Sequence, residues 1–372
     1  MCLAALASCG NRAPKSELQK KVDAYAVFQI GSPYMEGISD NGKEVLNLFR
    51  KAADEADNIF WQQTFGDKNA IMSLPDGAAK DLALINYGPW DRMDNNAPFI
   101  EGYGERPAGA NFYPADMTKE EFDALEDPAK FSPYTIIRRG EDGKLKVVWY
   151  HEAYKESIDK ICGYLESAAT MTIKESVRNY LLKRVEALRT DSYKESDYAW
   201  MDMKDSKMDL VIGPIENYED GIYGLKTSYE CFILLKDLKK TEELTKYISM
   251  LPELQKSLPC PEEYKTFVPG TESDMFVMMR STMPVMPMPA ERPLRSIFLT
   301  TMRSRLKREP AVFSSAMSLR PNSTRSSIRS ARFFSSLSSR DISALMHSSG
   351  MLPSMRLHTV SESRKLSMAS AV

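Results

Sequence analysis

Apolar side chains recur at helical spacing in two stretches near the start of the chain, from Glu17 to Ile30 and from Lys43 to Gln63. In the second, Leu46, Phe49, Ala53, Ala56 and Phe60 fall along one face. Two more helices are predicted at about 155–170 and 172–189, the latter amphipathic through Val177, Tyr180, Leu181, Val185 and Leu188. The pattern then shortens. Met208-Asp-Leu-Val-Ile-Gly-Pro is an apolar run bounded by Gly213 and Pro214, which predicts a strand, and Tyr229 to Leu235 is its expected partner. Lys240 to Met250 predicts a helix closed by Pro252. Between Leu74 and Phe131 the density of Gly, Pro and Asn predicts long loops with brief helical turns. Helices segregated from a few strands specify an α+β lobe.

All of this patterning ends near Met275. Residues 1–274 hold 25 Lys, 9 Arg and all 17 Tyr, whereas residues 275–372 hold 2 Lys, 13 Arg, 22 Ser and neither Tyr nor Trp. The net charge of -2 is therefore a cancellation between a first part with 34 basic and 47 acidic residues and a second with 15 and 4. A basic Ser/Arg-rich arm that neutralises phosphates fits the charge. It does not fit the 12 Met, the Phe residues 298, 313, 333 and 334, or the many Leu and Ile. A folded module is expected to carry a period, and none is sustained, with Pro284, Pro287, Pro289 and Pro293 interrupting the start. The preferred reading is translation out of register, so that 275–372 is expected to be unstructured and nucleic acid is not an expected partner. Residues 16–274, long enough to bury a substantial core, form the folded part, and residues 1–15 a signal remnant and tether.

Leu6-Ala7-Ser8-Cys9 matches a bacterial lipoprotein lipobox, in which small residues precede the cysteine that receives the lipid. Eight residues precede Cys9 and none is charged, so the basic n-region is missing. The expectation is a true signal whose start lies upstream, placing the protein in the cell envelope on a lipid at Cys9; made as written, the chain stays in the cytoplasm. The remaining cysteines fit neither a zinc ribbon nor a CxxC motif, and Cys162 and Cys231, among apolar neighbours, are expected to be buried core thiols. His151 is the one histidine of residues 1–274 and is assigned a structural or surface role, so no paired-histidine metal site can form there. Neither a phosphate-binding Gly-rich motif nor a nucleophile elbow occurs.

The most distinctive segment is Gly213-Pro-Ile-Glu-Asn-Tyr-Glu-Asp-Gly. If the backbone stays extended past the strand, Glu216 and Tyr218 share a side, and a carboxylate beside a phenol suits an ammonium ion. A solvated turn after an edge strand accounts for the same spacing.

The Ile-Gly-x-Ile-Glu-x-Tyr-x-Asp pattern from Ile212 to Asp220, with Tyr229-Glu-Cys-Phe after it, resembles the dipeptidyl peptidase III family of zinc metallopeptidases. The segments from Asn111 to Phe122 and from Ser196 to Asp202 resemble its Bacteroidetes-type branch, and the resemblance covers roughly residues 16–274. It implies the lower of two lobes around a cleft, helix-rich with a small antiparallel sheet or barrel. It also implies that Glu216 anchors a substrate's free amino terminus and that Tyr218 polarises the scissile carbonyl in the transition state. The family's zinc motif, two histidines and a general-base glutamate on one helix, is not in the written chain, so no cofactor is expected in it, with zinc confined to intact relatives.

Reading one nucleotide earlier changes this. Ser281 through Ala290 then permits Tyr-Tyr-Ala-Gly-Asp-Ala-Asn-Ala-Gly, and Pro293 through Thr301 permits Ile-Ala-Ile-Asn-Leu-Pro-Asn-Asp. Pro353 through Val360 permits Phe-His-Glu-Val-Ala-His-Gly, a short zinc motif, in the same frame. The expectation is a truncated, inactive relative of enzymes that release dipeptides from peptide N-termini. A noncatalytic peptide-binding lobe and a nucleic-acid-binding protein with a basic tail are the alternatives.

Overall fold

The computed structural model describes residues 15–25, 35, 37–265 and 278–280. Helix α1 (Glu17–Asp23) and the long helix α2 (Asp40–Thr64) come first, each opened by a serine whose hydroxyl accepts a backbone N–H, Ser16 from Gln19 and Ser39 from Gly42. Such caps satisfy donors that the first helical turn cannot. The stripe read on α2 is real but wider than its five members. Val45, Phe49, Ala52, Ala53, Ala56, Ile59 and Phe60 are all buried.

That stripe packs on α7 (Lys155–Met171) and on strand β6 (Ser228–Lys236), while α7 also packs on α8 (Glu175–Thr190). The result is one core of Phe49, Phe112, Tyr150, Ile161, Leu165, Tyr180, Tyr229 and their neighbours. Burying each such side chain contributes about 1.5–3 kcal/mol. Strand β5 (Met208–Glu216) pairs antiparallel with β6, Ile212 opposite Cys231 and Gly213 opposite Glu230, with a bulge between Pro214 and Glu216. Every residue of β6 is buried, because α2 covers it and β5 flanks it.

Several expectations need correction. The 74–131 stretch holds more order than loops: α4 (Ala78–Asn86), the two-residue strands β1 (Trp90–Asp91) and β2 (Ala97–Pro98), and α5 (Lys119–Ala124) lie in it. Helix α5 opens on a capping box of Thr118 and Glu121, a sequence signal that composition obscured. The hairpin of β3 (Thr135–Arg139) and β4 (Leu145–Trp149) was missed because Arg138, Arg139 and Lys146 break its apolar alternation. Helix α9 (Lys194–Asp202) lies where the apolar spacing predicts no element. Pro252 sits in the first turn of α11 (Leu251–Lys256), where its fixed φ suits a helix start, so it opens that helix after α10 (Leu238–Ile248) has ended. The small helix α3 (Lys68–Met72) and the single turn α6 (Tyr150–Ala153) complete the helices described.

The sheets have two, two and three strands and, among the described residues, none closes into a barrel. The third strand of the largest, β7 (Met278–Arg280), pairs with β6, Leu234 opposite Arg280. The boundary expected after residue 274 is therefore corrected by at least these residues. The rest of the 275–372 tail, Cys9 and the 1–14 segment lie outside the described residues. Among the described residues, no helix is long and apolar enough to cross a membrane.

One side chain stitches these layers. Gln63, fully buried near the end of α2, accepts the Tyr229 N–H at 2.7 Å and donates to the Thr227 carbonyl, while its own carbonyl accepts the Asn111 N–H at 2.8 Å. The Thr227 carbonyl has a second donor in the Tyr150 hydroxyl at 2.8 Å, whereas the Tyr229 N–H depends on Gln63. Gln63→Leu is therefore expected to cost about 2 kcal/mol, the penalty of a buried donor left unsatisfied. Urea unfolding measures the loss, and hydrogen exchange at the Tyr229 amide should accelerate more than at other β6 amides.

Candidate functional site

Residues 217–227 connect β5 to β6, and two buried carboxylates hold them down. Asp220 accepts the N–H groups of Ile222, Tyr223, Leu225 and Lys226 at 2.9–3.1 Å and the Tyr113 hydroxyl at 2.7 Å. A carboxylate with so many donors closes the loop on itself and ties it to the 107–115 segment. Glu219, 2% exposed, takes the guanidinium of Arg92 through both oxygens and is also paired with Arg106. Gly221 donates to the Ala108 carbonyl at 2.7 Å, and a Cβ there would stand 2.7 Å from that same oxygen, so glycine is needed for the close approach.

With Glu219 and Asp220 turned inward, Glu216 and Tyr218 are left outward. Glu216 ends β5, exposed and without an ion pair among the described residues. Tyr218 is 44% exposed, and its hydroxyl donates to Glu230 on β6 at 2.9 Å. Burial raises the Tyr218 phenol well above its ordinary pKa, and the neighbouring charges of Glu230, Glu216 and Glu219 raise it further. At neutral pH the phenol is thus a protonated donor among three carboxylates, of which the Arg92 and Arg106 guanidiniums neutralise Glu219. Such a surface suits a cation that brings its own hydrogens.

Glu230 was quoted within a motif but given no part. Its signal was available: one carboxylate in Ser228-Tyr-Glu-Cys-Phe-Ile-Leu-Leu, an otherwise largely apolar strand, must have a polar partner. Arg92 and Arg106 had no such signal. His151 has the structural place expected of it, its Nδ1 2.8 Å from Asp191 and its backbone N–H donating to the same oxygen. Cys162 and Cys231 are buried and not disulfide-bonded, and burial pushes the Cys162 thiol up to about 11. No three His, Cys, Asp or Glu side chains among the described residues are grouped to hold a metal.

Lys226, also fully buried, ends the loop with its ammonium donating to the carbonyls of Lys130 and Ser132 and to Thr135 Oγ1 at 2.7–2.9 Å. Burial pushes its pKa down to about 7 against the attraction of Asp220.

Residues 102–276 match peptidase family M49. The structure of DPP III from Caldithrix abyssi is 35% identical and superposes with a TM-score of 0.65, over 71% of this chain and 52% of that one. Dipeptidyl-peptidase III from Corallococcus sp. strain EGB is 28% identical, with a TM-score of 0.61 over 71% of this chain and 51% of that one. Nudix hydrolase 3 of Arabidopsis thaliana is 28% identical over 312 residues, 67% of this chain and 40% of that protein. The chain spans about half the length of the relatives it matches.

Folding lowers the Lys226 pKa, so from about pH 7 to the ordinary lysine range the unfolded chain holds the extra proton and stability rises with pH. Below about 7 both states are protonated and the cost of burying the charge is present in full. Lys226→Met should flatten this rise. Denaturant midpoints compared at about pH 6.5 and about pH 9.5 check it; equal slopes in both proteins would show that Lys226 stays charged throughout.

Proposed function

We propose, this chain being a dipeptidyl peptidase III-like protein of peptidase family M49 in its N-terminal part, that the end of β5 seats the free amino terminus of a peptide. The observation that carries this is the Tyr218 hydroxyl held protonated against Glu230, with Glu216 exposed beside it. A peptide ammonium brings three donors and a positive charge to a surface that offers carboxylate acceptors, Glu216 exposed among them. Glu216 supplies the long-range attraction. Tyr218 supplies a hydroxyl at fixed position: its one O–H is donated to Glu230, its oxygen keeps lone pairs that accept from the ammonium, and its backbone lies between a strand end and the Asp220-closed turn. In a complete relative the same O–H would have to turn from Glu230 to serve charge growing on a carbonyl oxygen.

The described residues do not fit zinc: His151 is committed to Asp191 and no cluster of three ligand-type side chains exists among them. In this reading the chain is an inactive relative in which a shift of frame near residue 275 replaces the metal-binding segments. A lipid on Cys9 holds it in the bacterial cell envelope, where it binds peptides without cutting them. The change of composition at Met275 supports the shift of frame.

Purified chain is expected to bind a short peptide with a free amino terminus at least about tenfold more tightly than its N-acetylated form. Glu216→Ala should remove most of that preference, which calorimetry at low salt measures. Equal affinity for both peptides would overturn the assignment. Elemental analysis is expected to find less than stoichiometric zinc, and no dipeptide should be released from a chromogenic substrate. In a frame-restored chain Tyr218→Phe should lower kcat about a hundredfold with little effect on KM. A normal rate in that variant would reduce the tyrosine to a structural turn.

A further inference from the structure

Neighbouring arginines on β3 are treated differently by the fold. Arg139 is paired with Asp116 and Glu121. Arg138 donates from Nη1 to its neighbour's carbonyl on Ile137 at 2.8 Å and from Nη2 to the Asn111 carbonyl at 2.9 Å, with no carboxylate. Among the described residues it is alone in this. Arg50, Arg92, Arg106, Arg139, Arg178, Arg184 and Arg189 each have an acidic partner. Burial lowers the Arg138 pKa, and only the buried phenols of Tyr154 and Tyr150 act the other way. Two carbonyls occupy two of the five N–H donors of a guanidinium and neutralise none of its charge. A partly buried cation without a counterion is costly unless a ligand supplies one.

Arg138 and Asn111 line a groove of about 330 Å³ whose other walls include Phe65, Trp90, Pro107 and Ala115. Phe65 and Trp90 meet edge to face with centroids 5.6 Å apart, forming an aromatic wall. That volume lies at the small end of organic ligand sites and exceeds what a bare inorganic anion fills. Thr64, Tyr113 and the carboxylate-paired Arg139 also line it, and the one charge in its lining without a carboxylate partner among the described residues is that of Arg138.

We propose that this groove is a carboxylate-binding site, in which Arg138 takes a carboxylate borne on an aromatic or aliphatic body that packs against Phe65 and Trp90. The guanidinium fork matches a carboxylate geometrically, and the aromatic wall adds area that phosphate or chloride cannot use. A peptide's C-terminal residue and a free aromatic acid share this chemistry. The site is independent of the amine seat at Glu216, since it uses different residues and opposite charge.

The test is calorimetric titration of the full chain at low ionic strength with N-acetylphenylalanine, its amide, benzoate and inorganic phosphate. Saturable binding of the acid, at least about tenfold tighter than the amide, is expected. Benzoate matching N-acetylphenylalanine identifies a free aromatic acid as the ligand type, and weaker benzoate identifies a peptide C-terminus. Arg138→Gln should abolish binding. Because that change also removes the bonds to Ile137 and Asn111, a second variant leaves them intact: Ala115→Phe, at an exposed position on the groove wall, should block the ligand while melting and circular dichroism stay unchanged. Equal binding of acid and amide, phosphate matching the acid, or undiminished binding in Ala115→Phe overturns the proposal.

Discussion

Two adjacent carboxylates, Glu219 and Asp220, govern the path of the chain between the strands of the largest sheet, and the outward display of Glu216 and Tyr218 depends on them. A buried carboxylate is tolerated only when its charge is met by donors, so each recruits a fixed set of partners. Asp220 draws in four backbone N–H groups and one phenol, which makes a closed turn. Glu219 draws in two guanidiniums from the 92–106 segment, which clamps that segment to the turn. Once these are inward, the residues before them in the chain face solvent, and the site is a consequence of where its neighbours are buried.

Beneath the turn the support is rigid because it is polar and apolar together. Strand β6 is buried along its whole length against α2, yet it receives Gln63 on its backbone and presents Glu230 to Tyr218. Tyr150, Tyr154, Tyr193 and Tyr229 pack ring to ring or within hydrogen-bonding reach under the same strand. Large aromatic side chains fill this layer with few rotatable bonds, so a shift at one strand end is resisted by several rings.

Electrostatics divide the surface of the lobe into two kinds of place. Around Tyr218 the carboxylates of Glu216, Glu219 and Glu230 gather. At Arg138 a guanidinium stands without a carboxylate partner among the described residues. Most other charges are matched locally on exposed helices, as in Arg50 with Asp54 or Lys155 with Asp159, where water screens them and little net energy is at stake. These two places are partly sheltered from water, and there the same charges act at lower effective dielectric.

Periodicity along the chain was sufficient for α2, α7 and α8, because amphipathic spacing is a local property and each buries the face its spacing announces, while bounded apolar runs announced β5 and β6. Buried Cys162 and Cys231 and the pairing of β5 with β6 were legible for the same reason. The Glu-x-Tyr segment was visible as a motif, and the break in composition at Met275 needed no structure at all. The β3–β4 hairpin and α9 were hidden by charged residues whose partners lie elsewhere in the chain. What tertiary structure alone decided is which charges meet: Glu219 finds Arg92 and Arg106 from 127 and 113 residues away, Tyr218 finds Glu230 across a turn, and Arg138 finds no carboxylate among the described residues. Hydrophobic spacing acts through the backbone and can be read from neighbours in sequence, whereas charge compensation acts through space and exists only after the chain has closed on itself.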